Sequence, residues 1–369
     1  MKLSYWEKKE WFTNIDYTIV GSGIVGLNTA LILAKKHPKA KITIIEKGVL
    51  PQGASTKNAG FACFGSISEM LSDLQNHTEQ EVFNLVQKRW KGLQLLRSTL
   101  GDTTIDFQQN GSYELFLPNT HLYDNCIQKI EPINTLLLPL FKQPVFKEKR
   151  TPFGFKKVHQ NAIFNLLEGQ IDTGKMMSAL LQIVLSKGIK IINNCELLKY
   201  TETGSNVKLQ TNLQEFTTQK LLITTNGFAQ QLLKENVLPA RAQVLITKPI
   251  PNLKIKGTFH LDEGYYYFRN INNRILFGGG RNLDFKAEET TKMTTSALVQ
   301  NKLTELLKTT ILPNTPFEID YAWSGIMGVG NQKKPIVKQV SNNIYCGVRL
   351  GGMGIAIGSL VGKELAELL

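Results

Sequence analysis

Residues 15–48 read Ile-Asp-Tyr-Thr-Ile-Val-Gly-Ser-Gly-Ile-Val-Gly-Leu-Asn-Thr-Ala-Leu-Ile-Leu-Ala-Lys-Lys-His-Pro-Lys-Ala-Lys-Ile-Thr-Ile-Ile-Glu-Lys-Gly, and this stretch decides the fold class. Its apolar pattern predicts a strand over Tyr17–Val20, a helix over Ile24–Lys36 and a second strand over Lys41–Ile45. A strand, a glycine turn and a helix in this order are typical of a Rossmann-like unit that binds a dinucleotide. The sequence therefore predicts an α/β fold.

Each glycine of the Gly-x-Gly-x-x-Gly turn has a separate task. Gly21 permits the tight turn, Gly23 lets the backbone approach a pyrophosphate, and Gly26 lets the helix pack closely on the strand. The first helical turn offers free N–H groups to phosphate oxygens. Glu46, at the end of the second strand, is placed to accept hydrogen bonds from ribose hydroxyls. In this unit we expect cofactor contacts from Gly21, Ser22, Gly23, Ile24, Val25, Gly26, Glu46 and Lys47.

The composition is that of an ordinary globular protein of 369 residues, a length that predicts one large domain or two interleaved domains. Residues 1–14 lack the apolar core of a secretory signal, and no run is apolar enough to span a bilayer. The four cysteines show no Cys-x-x-Cys spacing, which argues against a metal site and a disulfide framework. We therefore expect a cytoplasmic protein without a bound metal. The cysteines are Cys63, Cys126, Cys195 and Cys346.

The formal net charge of +13 needs an explanation. Its lysines are spread over the chain in small clusters, and no RNA-binding motif accompanies them. This pattern favours solvated lysine-rich surfaces over a nucleic-acid interface, although a basic balance also suits an RNA substrate.

Further glycine-rich segments lie far from the first turn. Residues 53–60, 225–227 and 351–354 are poor in bulky side chains, and the last of these precedes a C-terminal helix. Because glycine turns at both ends of the chain suit one ligand, the sequence predicts a discontinuous cofactor domain. We assign residues 14–80, 155–235 and 325–369 to this FAD/NAD(P)-binding type of domain. Residues 81–154 and 236–324, the latter rich in predicted strands, are assigned to a β-rich substrate-binding domain.

These landmarks, in this order, resemble the D-amino-acid-oxidase-like family of FAD-dependent oxidoreductases, which includes glycine and sarcosine oxidases and γ-glutamylputrescine oxidoreductase. The resemblance covers nearly the whole chain. Besides the first turn and Glu46, it rests on Gly53-Ala-Ser-Thr-Lys-Asn-Ala-Gly60, Ile171-Asp-Thr-Gly, Thr225-Asn-Gly227, Pro239-Ala-Arg-Ala-Gln-Val, Trp323-Ser-Gly and residues 347–358.

The resemblance implies a bound FAD and a β-sheet that closes over the reactive face of the flavin. Segment 53–60 has no histidine and no cysteine lies near Trp323, so we expect non-covalent FAD. Cys63 and Cys346 are interpreted as buried small residues. Beyond the first turn, the family pattern implies cofactor contacts from Ser55, Thr56, Asn58, Ala59, Gly60, Thr225, Asn226, Gly227, Gly351, Gly352, Met353 and Gly354.

The family chemistry is hydride transfer to the flavin from a carbon that bears nitrogen, and hydrolysis of the imine product in water. We therefore expect a small amine or amino acid as substrate. Carboxylate-binding members use an arginine of the sheet with a tyrosine. The candidates here are Tyr265, Tyr267, Arg269, Arg274, Arg281 and Arg349. Arg349, beside the last glycine turn, and Tyr267 are favoured. Tyr265 and Arg269 are added because they share one face of a strand with Tyr267.

Two departures from the family pattern affect these expectations. Ile326-Met327 stands where many amino-acid oxidases carry Arg-Pro after Trp-x-Gly, which removes one carboxylate anchor. Residues 274–278 lack the lysine that sarcosine-oxidase-like members place near the flavin for reaction with oxygen. A dehydrogenase acceptor is therefore at least as plausible as oxygen.

Two other functions stay open at this point. Similar flavin domains act on a modified wobble uridine of tRNA, which the basic charge would suit, and such binding would weaken steeply with salt. A non-catalytic flavoprotein that kept the fold is the other alternative. A dehydrogenase that uses only a nicotinamide cofactor is disfavoured, because it leaves the glycine turn at 351–354 and the β-rich domain without a role.

Overall fold

A computed structural model of the chain describes residues 3–118 and 120–369. Its helices are α1 (Tyr5–Trp11), α2 (Ile24–Lys36), α3 (Ile67–Leu74), α4 (Glu79–Leu100), α5 (Leu122–Gln128), α6 (Ile130–Phe141), α7 (Thr173–Ser186), α8 (Ala297–Leu306) and α9 (Gly354–Glu367). Within the described ranges, no helix has the length and apolarity needed to cross a membrane.

The strands up to the middle of the chain are β1 (Ile15–Val20), β2 (Ile42–Ile45), β3 (Phe61–Ala62), β4 (Ser112–Leu115), β5 (Phe146–Arg150), β6 (Asn161–Asn165), β7 (Gly169–Gln170), β8 (Lys190–Ile192) and β9 (Leu197–Thr203). The later strands are β10 (Asn206–Thr211), β11 (Glu215–Ile223), β12 (Leu238–Thr247), β13 (Thr258–Leu261), β14 (Tyr266–Ile271), β15 (Arg274–Gly279), β16 (Ile319–Val329), β17 (Ile336–Ser341) and β18 (Ile344–Val348).

The first sheet, which we call sheet 1, has the strand order β17-β18-β11-β1-β2-β8. The strands from β18 to β8 run parallel, and β17 and the β9–β10 hairpin add antiparallel edges. All four residues of β2 are buried, as expected for a parallel strand covered on both faces. Helices α2, α7 and α9 pack together over one face, and α4 packs on α9.

The second sheet, sheet 2, has the order β16-β12-β15-β14-β13-β4-β6-β5 and is antiparallel except between β4 and β13. Its outer face packs on α8 through stacked aromatic rings; the Phe259 and Phe268 centroids are 4.5 Å apart. Because side chains alternate along a strand, Tyr267 points the other way, where it packs with Ala59 and Phe61. Sheet 2 thus closes over the glycine loops of sheet 1.

This architecture confirms the predicted class, an α/β Rossmann-like domain with a β-rich second domain. Helix α2 has the predicted bounds, Ile24–Lys36. Strand β6 nevertheless lies in sheet 2, although 155–235 was assigned to the cofactor domain, and α4 packs on α9, although 81–154 was assigned to the other domain. The chain crosses between the two sheets more often than its composition indicates, and the domain limits remain a proposal.

A buried carboxyl group joins α3 to sheet 2. Glu114 on β4 accepts hydrogen bonds from the Ser66 hydroxyl at 3.1 Å, from the Ser68 backbone N–H at 3.2 Å and from the Ser68 hydroxyl. Burial raises the pKa of Glu114 to about 7, and the serine hydrogen bonds only partly oppose this effect. Below pH 7 the folded protein therefore holds this carboxyl group in its neutral form.

We predict that Glu114→Gln changes the stability in a pH-dependent way. The folded pKa lies above the unfolded one, so the contribution of Glu114 is favourable below pH 4.5 and is lost as the pH rises to about 7. The amide keeps an acceptor for Ser68 N–H and never ionises. The variant should therefore gain up to about 3 kcal/mol over the wild type between pH 5 and pH 8, measured by urea unfolding. A stability difference that is the same at both pH values would contradict this assignment.

Candidate functional site

A cavity of about 600 Å³ lies between the two sheets. Glycine loops from four parts of the chain line one side of it, and strands of sheet 2 line the other. Its position at the carboxyl ends of parallel strands is where open α/β sheets bind ligands.

The first glycine turn brings strand and helix unusually close. Gly21 has φ +103° and donates its N–H to the carbonyl of Ile45 at 2.8 Å. A Cβ on Gly26 would lie 2.0 Å from the Gly21 carbonyl oxygen, so only glycine allows this packing. Gly26 thus shapes the turn from behind and does not line the cavity itself.

Glu46 stabilises this turn through hydrogen bonds. Its Oε2 accepts from the backbone N–H of Ser22 at 2.9 Å and from the Ser22 hydroxyl at 2.7 Å, and its Oε1 accepts from Gly48 N–H at 3.0 Å. The carboxylate is almost fully buried, yet it lines the cavity. Ser22 is completely buried behind it and acts on the turn through Glu46.

The loop of residues 53–60 is held by its own side chains. The hydroxyl of Ser55 accepts from the backbone N–H of Ile24 at 3.0 Å, which fixes the loop to the start of α2. The amide of Asn58 donates to two backbone carbonyls, and its oxygen accepts from Gly60 N–H and from the Thr173 hydroxyl, both at 2.9 Å. These hydrogen bonds fix the conformation of the loop.

The last glycine turn is tied to the segment that follows β11. The side-chain oxygen of Asn226 accepts from the backbone N–H groups of Arg349 and Leu350, both at 3.1 Å. Thr225 has a buried hydroxyl oxygen without a hydrogen-bond partner among the described residues. A Cβ on Gly227 would lie 2.5 Å from the Met327 carbonyl oxygen, so this glycine serves packing.

Most of the predicted cofactor residues line this one cavity. Ser22, Gly26, Thr56 and Gly227 do not line it and support the loops from behind. The lining residues are Gly21, Gly23, Ile24, Val25, Glu46, Lys47, Ser55, Asn58, Ala59, Gly60, Thr225, Asn226, Gly351, Gly352, Met353 and Gly354.

The four residues predicted for the substrate are separated by the structure. Tyr265 and Tyr267 line the cavity, and burial raises the pKa of Tyr267 to about 12, which keeps its hydroxyl protonated. Arg269 lies beneath the cavity floor, only 3% exposed, and burial lowers its pKa to about 10. Its Nη2 would be 2.8 Å from a Cβ on Gly60, so it packs behind that loop.

Arg349 does not reach the cavity. It adopts φ +65°, and its guanidinium donates to the carbonyls of Lys334 at 3.0 Å and Asn236 at 3.1 Å. Arg349 is near a glycine turn in sequence, but these contacts place its guanidinium away from the cavity, unlike the predicted carboxylate anchor. The side chain turns away from the ligand side and holds two loops together.

Several polar residues of the cavity were missed by the sequence analysis. They come from α3, β13 and the loop after β16, and they are Glu69, His260 and Lys333. Arg281, a candidate from the sequence, also lines the cavity. Burial lowers the pKa of His260 to about 4, although Glu69 opposes this effect, so the imidazole is neutral at physiological pH. Glu69 follows a helix-capping serine, Ser66, a pattern that by itself indicates only a helix start.

Cys63, Glu168 and His260 bring potential metal-ligating atoms within 4.8 Å of one another. The carboxylate oxygens of Glu168 already accept from Phe64 N–H at 2.6 Å, Gly65 N–H at 3.0 Å and the Ser112 hydroxyl at 2.5 Å. Burial also raises the pKa of the Cys63 thiol well above its usual value, whereas a metal ligand must be a thiolate. These contacts describe a structural hydrogen-bond cluster.

A Rossmann-like glycine turn facing a β-sheet across one cavity defines the class of dinucleotide-dependent oxidoreductases. A model of the DAO family, described as FAD dependent oxidoreductase, matches residues 16–368. The chain belongs to this family. The probable oxidoreductase OrdL of Haemophilus influenzae is 21% identical over 369 residues, which span 96% of this chain and 82% of the relative.

Solved structures share the fold. L-proline dehydrogenase from P. horikoshii has a TM-score of 0.75 at 19% identity, with 96% of this chain and 93% of the other covered. Glycine oxidase from Geobacillus kaustophilus has a TM-score of 0.75 at 19% identity, with 96% and 94% covered. These likenesses confirm the fold predicted from the sequence.

The cavity has the features that a dinucleotide requires. The glycine turn places the N-terminus of α2 at the cavity, Glu46 lines it with a carboxylate, and the buried Thr225 hydroxyl has no hydrogen-bond partner among the described residues. The residues present therefore fit the FAD on which the family depends.

We predict that Gly26→Ala abolishes stable FAD loading. The added Cβ would overlap the Gly21 carbonyl and push the turn into the space that the pyrophosphate needs. Gly174→Ala is the matched control, because its Cβ meets only Asp172 Oδ1 at 3.3 Å. The Kd for FAD, measured by titration of the flavin-free protein, should rise about tenfold or more in the first variant only, a loss of about 1.4 kcal/mol or more of binding free energy. Equal loading of both variants would refute this role.

For Arg349→Ala we predict lower stability without a selective effect on substrate. Removal of the guanidinium deletes its hydrogen bonds to the Lys334 and Asn236 carbonyls, each of which contributes about 0.5–1.5 kcal/mol. Thermal unfolding measures this loss. If instead KM rose about tenfold for a carboxylate substrate at unchanged stability, Arg349 would be a substrate anchor after all.

Proposed function

We propose that the protein oxidises a C–N bond of a small amine or amino acid, using FAD as the hydride acceptor. The observation that carries this proposal is a single cavity that runs from the glycine turn to a polar end with Glu69, His260 and Lys333. The names of the structural neighbours support it, since they are a proline dehydrogenase and a glycine oxidase. The family membership supplies the cofactor.

We further propose that FAD is held without a covalent bond. Cys63 and Cys195 line the cavity, and burial raises the pKa of both thiols, which keeps them protonated and poorly nucleophilic. The pyrophosphate would meet the N-terminus of α2 at Gly21 and Gly23, and the ribose would meet Glu46. Residues 53–60 and 351–354 would border the flavin ring.

When bound, FAD supplies the electrophilic ring that accepts the hydride. The chain itself would hold the substrate C–H against that ring. Tyr267, with its ring centroid 5.6 Å from that of Phe61, forms an apolar wall that excludes water from the reacting carbon. The product imine hydrolyses after release, so that step needs no residue of the protein.

The first test is anaerobic titration of the FAD-loaded protein with amines and amino acids, in which the flavin absorbance is monitored. We expect bleaching by at least one small amine or amino acid. Denaturation with acid should then release all flavin into the supernatant, since no covalent bond is expected. Bleaching only by tRNA, or by no donor, would reject the proposed substrate class.

A further inference from the structure

The polar end of the cavity borders a group of four charged side chains. Glu69 and Asp73 lie on α3, Arg89 lies on α4, and Lys333 lies in the loop between β16 and β17. Two of them, Glu69 and Lys333, line the cavity and are called here the Glu69–Lys333 pair. None of the four belongs to the motifs that mark the cofactor site.

Glu69 is fixed through only one of its oxygens. Its Oε1 accepts from Arg89 Nη2 at 3.1 Å and from Lys333 Nζ at 3.3 Å. In residues 3–118 and 120–369, no group donates a hydrogen bond to Oε2. Burial alone would raise the pKa of this carboxyl group, but Arg89 and Lys333 outweigh burial and lower it to about 2. Glu69, which lines the cavity, thus carries a charged oxygen with unused acceptor capacity.

The ammonium group of Lys333, beside Glu69, has an N–H donor that is not used within the described part of the protein. This group has three N–H bonds, and it contacts Asp73 Oδ1 at 2.7 Å and Glu69 Oε1 at 3.3 Å. The side chain is still 41% exposed, so a ligand in the cavity can reach it. Its backbone runs beside the last glycine turn, where the Lys333 carbonyl would be 3.9 Å from a Cβ on Gly351.

We propose that the Glu69–Lys333 pair binds the head group of an α-amino acid, with the amino N–H on Glu69 Oε2 and the carboxylate on Lys333 Nζ. This inference rests on the proposed function and narrows its substrate to primary or N-alkyl α-amino acids. It assigns the carboxylate to Lys333, since Arg349 is engaged elsewhere and Ile326-Met327 offers no cation. Arg281 also lines the cavity but lies outside this charged group.

The charge balance of the group favours a zwitterion. Two carboxylates and two cations cancel, and His260 beside them is neutral. An amino acid head group adds one charge of each sign and finds one partner for each. A diamine or a dicarboxylate at this end would leave one charge without a counterion, which costs free energy to the extent that the charge is removed from water.

Lys333→Met tests this inference, with Lys334→Met as the matched control because Lys334 is exposed and does not line the cavity. Each FAD-loaded variant is titrated anaerobically with glycine, N-methylglycine, alanine and proline, and with the corresponding amines that lack the carboxylate. We expect Lys333→Met to weaken apparent binding of the responding amino acid about tenfold or more, and to leave binding of its amine within about twofold. Lys333→Arg should restore part of the affinity.

Acetate provides a readout without turnover. It should perturb the flavin spectrum of the wild type and of Lys334→Met by binding at Lys333, and should have no effect on Lys333→Met. If the wild type responds to an amino acid and Lys333→Met weakens amine and amino acid equally, this inference fails while the proposed function stands. If no small donor reduces the wild type, the proposed function itself fails.

Discussion

The close contact of α2 with its neighbours is the constraint on which the rest of the structure depends. Gly26 allows the helix to touch the Gly21 carbonyl, and a Cβ on Gly362 of α9 would lie 2.7 Å from the Val25 carbonyl oxygen. Behind α9, a Cβ on Gly92 of α4 would be 2.3 Å from the Ala356 carbonyl oxygen. The backbones of α2, α9 and α4 are thus in direct contact. This packing determines where the loops that precede α2 and α9 lie against the cavity.

The same packing explains why α4 belongs physically to the cofactor half. Arg89 projects from α4 and donates to the Phe64 carbonyl at 2.9 Å as well as to Glu69, so the helix that supports α9 also orients α3. Glu114 then joins α3 to sheet 2. Hydrogen bonds of Arg89 and Glu114 thus fix the polar end of the cavity relative to the glycine turns.

The features that depend on local sequence pattern could be predicted. The Gly-x-Gly-x-x-Gly turn, the bounds of α2 and Glu46 depend on residues near one another in the chain, and most of the expected loops meet at the cavity. Side-chain direction after a turn depends on distant acceptors, which local pattern does not contain. Arg349 turns away because the carbonyls of Lys334 and Asn236 accept from it, and nothing in residues 347–358 indicates those partners.

The residues that would recognise the substrate lie on different elements from those that would hold the cofactor, and this separation has a consequence. Glu69 lies in the first turn of a short helix and Lys333 lies in a connecting loop, so neither belongs to α2, α9 or sheet 1. The glycine contacts of α2 and α9 allow no larger residue, because a single Cβ would displace backbone. A chain can therefore keep the family fold and its cofactor site while it replaces an arginine anchor by a lysine placed one loop further on. On this proposal, substrate specificity depends on the charged group at the polar end of the cavity. The positive and negative charges of this group already balance, and a ligand that carries one charge of each sign preserves that balance.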